Sequence, residues 1–453
     1  MREERNDARS AALRVLRQMD RAAAWADAGL DAELRRSGLA GQEAALAARL
    51  VYGVLQNRAL LDHYLGAYCS QKIDHLQKPL ADILRLGAYQ LVFLSRIPAR
   101  AAVSETVELV KQQGNPAAAG YANGVLRALA RSLPCLPQVP REPALERLSI
   151  TYSHPRWFVG KMLRRLGEEG CEALLQADNA AFPVTARVNT LKTTRAALQV
   201  RLAELGIASS PHAFLPNALC FDTVRGVLRS GLLEQGLLYI QDTASQLCVE
   251  ALAPRPGETV FDLCAAPGGK ALLAGQKMED RGRILAMDLY PHKADLIAKN
   301  AETYGVSILQ AAAADASVPR EALSGRADGV ICDVPCSGMG VIRKKPDVRY
   351  KDGDSIKALP PLQLAILKNA AAALKPGGRL VYSTCTLLKE ENEAVVERFL
   401  AETPGASLEP FSLPGLGEIP EGMLTLWPHI HHTDGFFMAK IRKHQGNETT
   451  NGR

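Results

Sequence analysis

Two short stretches hold side chains capable of covalent chemistry. "DVPCSGMG" supplies Asp333 and Cys336, and "YSTCTLL" supplies Cys385, set between two threonines at the end of an apolar run. A lone cysteine in such a run is ordinarily a small packing residue. Two thiols and a carboxylate at one place read instead as a nucleophile with helpers at the rim of a sheet. A free thiol titrates near about 8.5, so such a nucleophile needs activation at neutral pH. No catalytic histidine is apparent. His429, His431 and His432 in "WPHIHHTDGFF" are candidates for a base or a metal by composition only, and solvated loop histidines are commoner.

These residues need a scaffold, and the pattern from about residue 236 provides one. Candidate strands lie at 259–265, 283–289, 308–315, 328–334 and 379–385. Helical stretches such as "YPHKADLIAKNAETYG" and "PPLQLAILKNAAAALKPGG" separate them. Alternation of strand and helix predicts a parallel sheet with helices on both faces. Ligands bind such sheets at the carboxyl ends of the strands. The fourth strand ends at Asp333 and Cys336 and the fifth at Cys385, so the three side chains fall on one crevice.

The other strand ends bear on what fills that crevice. The first ends in "CAAPGGK", where Gly268 and Gly269 permit a tight turn and close approach of backbone to ligand. This is neither a G-x-G-x-x-G fingerprint nor a Walker A loop. The second ends at Asp288, which suits ribose hydroxyls or the N-cap of the following helix. The third ends at Asp315, which could hold an adenine amino group or merely cap a turn. Acids at successive strand ends together favour an adenosine-bearing ligand.

The remainder of the chain is read more coarsely. At 453 residues it is too long for one ordinary core, and 47% apolar with 23% charged residues is usual for a soluble protein. Nine scattered cysteines without C-x-x-C pairs favour neither a disulfide framework nor structural zinc. No signal peptide or membrane span is evident, so a cytoplasmic protein is expected, with no membrane or metal partner and as a monomer. Residues 1–135 read as successive helices and carry 18 Lys and Arg against 13 Asp and Glu, a balance that suits a polyanion or an ordinary solvated surface. The Pro-rich stretch "LPCLPQVPREP" (133–143) marks a linker. Residues 144–235 combine strands at "TARVNTLKT" and "NALCFDTV" with a helix, "TRAALQVRLAELG", closed by Gly206. The expected organisation is an all-α domain over 1–140, a linker and small α+β module over 141–235, the α/β domain over 236–443, and a disordered tail over 444–453.

"DLCAAPGGK", "DVPCSGMGVIRKKPD" and "YSTCTLLKEENE" closely resemble the motifs of S-adenosylmethionine-dependent RNA cytosine-5 methyltransferases of the NOL/NOP/Sun group. "RVNTLK" and "QDTASQL" resemble it too. Upstream, "LVYGVLQNRALLDHYL", "LRLGAYQLVFLSRIPARAAVSETVELVK" and "YANGVLRAL" resemble the NusB-like RNA-binding helical domain. The resemblance implies a Rossmann-like methyltransferase domain behind a NusB-like domain and a small α+β module. It implies S-adenosylmethionine as cofactor, held by Cys264, Ala265, Ala266, Pro267, Gly268, Gly269 and Lys270. Asp288 would take the ribose, Asp315 the adenine side and Asp333 the methionine end. Cys264 would line the site without reacting, and Lys270 would face either the carboxylate or the substrate. By the same resemblance Cys385 is the nucleophile that adds to cytosine carbon 6, and Cys336 helps release the enzyme from the methylated base. Asp333 would steady the ring, either donating as an acid to nitrogen 3 or accepting as a carboxylate from the exocyclic amine. The combination of domains implies one cytosine of 16S ribosomal RNA as target. "RKKPDVR" (343–349) places four cations after the catalytic loop, and RNA phosphate contact is the expectation there, with an ordinary solvated loop as the alternative.

Other functions compete with this one. A non-catalytic NusB-like RNA-binding or ribosome assembly factor would share the helical domain but has no need of both Cys336 and Cys385. Methylation of another RNA, such as tRNA, would use the same site. A DNA cytosine methyltransferase uses the "PC" cysteine as nucleophile and needs no "TC" cysteine. An NAD-dependent oxidoreductase is disfavoured by the missing G-x-G-x-x-G.

Overall fold

The structure is a computed structural model that describes residues 6–22, 26–113 and 116–445. The tail expected to be disordered falls, from residue 446 on, outside the described residues. The chain forms two compact units. One comprises Met1–Ala180 together with Ile342–Lys351, the other Ala181–Val341 together with Asp352–Arg453.

The first unit is helical, as its Ala- and Leu-rich spacing dictates. Its main helices are Ala8–Ala22, Ala26–Ser37, Gly41–Gly66, Lys78–Phe93, Ala99–Gln112 and Pro116–Arg131. Leu50, Leu61, Leu84 and Leu126 meet in one fully buried cluster. Burying each such side chain contributes about 1.5–3 kcal/mol. Helix Lys78–Phe93 is buried without a break from Ala81 to Leu91, including Arg85, whose charge is met by Asp62 at 2.7 Å and Asp82 at 3.0 Å. This unit runs past the Pro-rich stretch: helices Ala144–Thr151 and Arg156–Asn179 belong to it.

The second unit opens with a small antiparallel sheet. Its strands are Ser210–Pro211, Ala218–Phe221, Val184–Val188 and Leu238–Ile240 in spatial order, beside helix Arg195–Glu204. This agrees with the α+β reading of that stretch. The larger sheet of eight strands follows. Five of its strands are parallel: Thr259–Asp262, Arg283–Asp288, Leu309–Ala313, Ala327–Asp333 and Leu374–Thr384. In space the first strand lies between the second and the fourth. The order therefore reverses between Thr259–Asp262 and Ala327–Asp333, and a crevice opens outside their carboxyl ends.

Two features differ from the sequence reading. Helix Leu359–Ala373 stops before "LKPGG", which begins the fifth strand. Proline and paired glycines end a helix, and the strand takes over where the neighbouring ladder offers partners. Antiparallel strands Ala406–Leu408, Met423–Leu426 and Phe436–Lys443 also extend the sheet beyond the fifth strand. The apolar run "GFFMAKI" was the available signal for the last of these.

Candidate active site

The first-strand loop is built by backbone bonds that only a tight turn permits. Gly268 holds φ at +103°, a conformation side chains with a Cβ rarely adopt. Its N–H donates to the Ala265 carbonyl at 2.6 Å, and the Ala265 N–H donates to Met287 at 2.7 Å. The Ala266 N–H donates to the Asp288 carboxylate at 3.2 Å, so this acid ties the second strand end to the loop. Tyr290, and not Asp288, flanks helix Pro291–Tyr304. Asp315 accepts from the Ser317 N–H at 2.8 Å and hydroxyl at 2.6 Å, which fixes its turn. Those bonds hold its carboxyl below the usual range.

A cleft of about 470 Å³ lies against these strand ends. Cys264, Ala266, Asp288, Asp315 and Asp333 all line it. That lining suits an elongated ligand with polar groups: Asp288 and Asp315 offer hydrogen-bond acceptors, and Leu362 and Ile366 supply apolar walls. Burial pushes the Cys264 thiol well above its ordinary value, consistent with a lining residue that stays protonated.

Asp333 has two partners. Its carboxylate accepts from the Lys270 ammonium at 2.6 Å and from the Ser383 hydroxyl at 2.7 Å. Burial alone would lower the Lys270 ammonium, but the carboxylates of Asp333 and Asp262 outweigh it and hold it charged. Asp262, at the end of the first strand, is fully buried with no hydrogen-bond partner of good geometry on either oxygen. Burial raises it to about 7.

The structure brings Cys336 and Cys385 together, with their sulfurs 2.8 Å apart. Both residues are partly exposed. The Cys385 N–H donates to the Cys336 sulfur at 3.2 Å. The bond to Cys385, then burial, push the Cys336 thiol well up. The two loops are zipped by the Val334 N–H to Ser383 (3.1 Å) and the Gly340 N–H to Cys385 (2.9 Å). A Cβ on Gly340 would lie 2.0 Å from the Gly435 carbonyl oxygen, so only glycine allows this approach.

Several supporting residues escaped the sequence reading. Glu391 and Asn392, in "YSTCTLLKEENE", are almost fully buried. Glu391 accepts from the Ser337 N–H at 2.8 Å and the Gln363 amide at 2.9 Å. Asn392 bonds both Thr384 (2.5 Å) and the Thr386 carbonyl (2.9 Å). These bonds fix the turns on either side of the sulfurs. Behind the first-strand loop, Arg187 donates to Gln241 at 2.6 Å, to Gln276, and to the Gly269 carbonyl at 3.2 Å. The charge of "RVNTLK" was visible, but its burial was not.

Arg349 of "RKKPDVR" is 2% exposed and packs within the first unit, which overturns the expectation that it contacts phosphate. Its Nη1 donates to the carbonyls of Gln56, Tyr152 and Ser153, and its Nη2 to the Asn179 side chain. Of the three histidines, His431 accepts from the Trp427 N–H at 2.8 Å. Among the described residues no cluster of three or more His, Cys, Asp or Glu could hold a metal.

Comparison with known proteins adds to this geometry. Residues 249–442 match the family "16S rRNA methyltransferase RsmB/F", 6–131 match the NusB family, and 154–227 match an RsmF/B-like ferredoxin-like domain. The chain is 35% identical to a probable ribosomal RNA small subunit methyltransferase B of Bacillus subtilis, covering 96% of this chain and 98% of that one. It is 34% identical to a ribosomal RNA small subunit methyltransferase B of Vibrio cholerae, over 88% and 89% of the two chains. The crystal structure of PH0851 superposes with a TM-score of 0.81 at 26% identity, covering 97% of this chain and 99% of that one.

Proposed function

Because the chain belongs to the ribosomal RNA small subunit methyltransferase B family, an S-adenosylmethionine-dependent group, we propose that it methylates carbon 5 of a cytosine in 16S ribosomal RNA through a covalent Cys385 adduct. One observation carries this reading: two thiols in contact beside a cleft lined by Asp333. A sheet that needed only small apolar residues there would not aim both at the same partly exposed spot.

S-adenosylmethionine supplies an electrophilic methyl group when bound. The loop Cys264–Lys270 would enclose its methionine part, with Asp288 on the ribose, Asp315 near the adenine and Asp333 near the methionine end. Carbon 5 of cytosine is a weak nucleophile until carbon 6 is attacked. The Cys385 thiolate forms a bond to carbon 6, and the electron pair of the ring double bond becomes available at carbon 5. Cys336, whose thiol is pushed well up by that contact and by burial, stays protonated, and Cys385 is the sulfur that attacks. Asp333, paired with the Lys270 ammonium, accepts from the exocyclic amine, while Lys270 offsets the charge developing on the ring. The target base must leave its stack to reach this spot. After methylation, a base removes the carbon 5 proton, the electrons restore the double bond, and the carbon–sulfur bond breaks. Cys336, in contact with Cys385, assists that release.

The test uses labelled S-adenosylmethionine and 16S ribosomal RNA. Cys385→Ala should abolish transfer while the variant still binds cofactor; retained turnover would refute the nucleophile. Cys336→Ala should accumulate a protein–RNA species that survives a denaturing gel. Bisulfite sequencing of 16S RNA from a deletion strain should show one cytosine losing its protection.

A further inference from the structure

Outside the catalytic unit, the first unit carries a groove of about 690 Å³ between helices Ala99–Gln112 and Pro116–Arg131. One helix presents Arg100, Ser104, Val107 and Lys111, spaced so that they share a face. The other presents Asn123, Arg127 and Arg131. Four cations therefore border one cleft, against a single carboxylate, Glu108, which pairs with Lys111 at 3.1 Å.

The contrast with other arginines of the unit is informative. Arg14 is paired with Glu33, Arg85 with Asp62 and Asp82, and Arg147 with Glu168 and Glu172. Arg100, Arg127 and Arg131 are exposed and make no ion pair with any described residue. Three guanidinium groups held in one cleft without counter-charge repel each other, and this cost is relieved by a bound polyanion. Guanidinium pairs with phosphate oxygens through parallel N–H bonds, and its planar face stacks on bases. The floor, Val103, Val107 and Ala130, is apolar, while Ser104 and Asn123 offer neutral hydrogen-bonding groups suited to ribose hydroxyls. From Arg100 to Lys111 the cations extend roughly 16 Å along the helix, at about 1.5 Å per residue. That length suits several consecutive phosphates better than an isolated anion.

We propose that this groove holds a stretch of the phosphodiester backbone of the RNA substrate, with Arg100, Arg127 and Arg131 as the phosphate contacts. The inference rests on the reading that the substrate is RNA, and it assigns a docking surface apart from the methyl-transfer site. The contacts are electrostatic and independent of base sequence, so they set affinity and its salt dependence.

The test is binding of full-length protein to transcribed 16S ribosomal RNA across a potassium chloride series. The Arg100→Ala/Arg127→Ala/Arg131→Ala variant should bind at least ten-fold more weakly at about physiological salt. Its slope of log affinity against log salt should fall by about two, at about 0.7 per lost contact to a single strand. Arg127→Ala alone should lower the slope by about a third of that. Melting temperature and cofactor affinity should match the parent protein, which excludes misfolding as the cause. An unchanged affinity and slope in both variants would overturn the proposal. So would a polyglutamate competitor that displaces nothing but binds in an arginine-dependent way, since the groove would then serve an acidic protein. If the parent protein binds with an arginine-dependent slope but transfers no methyl group, the catalytic reading fails and the groove stands.

Discussion

Arg187 and Arg349 are both fully buried guanidinium groups with no carboxylate as hydrogen-bond partner, and they are used differently. Burial pushes each down to about 10. Arg187 sits in the second unit, 4.8 Å from the Tyr239 ring centre, and braces the Gly269 carbonyl at the start of helix Gly269–Lys277. Arg349 lies within the first unit. There it donates to the carbonyls of Gln56 (2.9 Å), Tyr152 (3.0 Å) and Ser153 (3.3 Å), and to the Asn179 side chain. One arginine links two stretches, the helix Gly269–Lys277 and the strand end at Gln241. The other gathers three separate stretches of chain around the segment Ile342–Lys351. A buried cation survives without a counter-ion only where oriented dipoles replace its hydration. How many separate stretches supply those dipoles decides what is lost when the cation is removed.

The largest effect should follow Arg349→Met. Three carbonyls and an amide oxygen would each lose a donor in a dry site; the Tyr152 carbonyl keeps the Asn179 amide and the Asn179 oxygen keeps the Gln56 amide, and each group left unsatisfied costs about 1–3 kcal/mol. Partial relaxation brings the expected loss to about 3–5 kcal/mol, read as an earlier urea transition of the helical unit. A loss below about 1 kcal/mol would mean that the carbonyls find other donors, and the contrast with Arg187 would collapse.

A buried charge of opposite sign sharpens the comparison. Asp262 faces the Lys270 charge without an ion-pair contact, and burial outweighs that charge and raises it to about 7 from an ordinary 3.8. Between those values the folded protein holds a proton that the unfolded chain releases. Stability is therefore complete below about pH 4 and declines as pH rises to about 7. At 1.36 kcal/mol per unit, the decline is at most about 4 kcal/mol. Asp262→Asn should remove this slope, seen in urea titrations at a series of pH values. An unchanged slope in the variant would assign it to another group.

These cases also show what sequence can reveal. The turn after the first strand was legible because its causes are local: a strand, a glycine turn and a helix start, all within "DLCAAPGGK". The convergence of Cys336 and Cys385 followed from strand ends in a parallel sheet, where topology does the positioning. Arg349 was misread because a run of cations looks solvated, and its acceptors lie near residues 56, 152 and 179 in the chain. Glu391 and Asn392 stood in plain view, but polar residues after a strand look like an ordinary exposed loop. Their burial depends on Gln363, Ser337 and Thr384, which only the folded chain brings near.

The smallest effect, and the one that tests the comparison from its other side, belongs to Arg187→Met. Gln241 and Gln276 are flexible amides that can turn to other partners, whereas the Gly269 carbonyl is fixed at a helix start. Methionine retains most of the side-chain volume, so little cavity forms and stability should fall by about 1–2 kcal/mol. The loop, released from its brace, should bind S-adenosylmethionine about ten-fold more weakly, a change of about 1.4 kcal/mol. Turnover at saturating cofactor should be preserved, because Lys270, Asp333 and the two sulfurs are held by bonds that do not pass through Arg187. Equilibrium dialysis and a rate measurement at high cofactor separate the two quantities. Weaker binding with intact turnover marks a positioning residue; a stability loss as large as that of Arg349→Met would show that the two buried arginines do the same work.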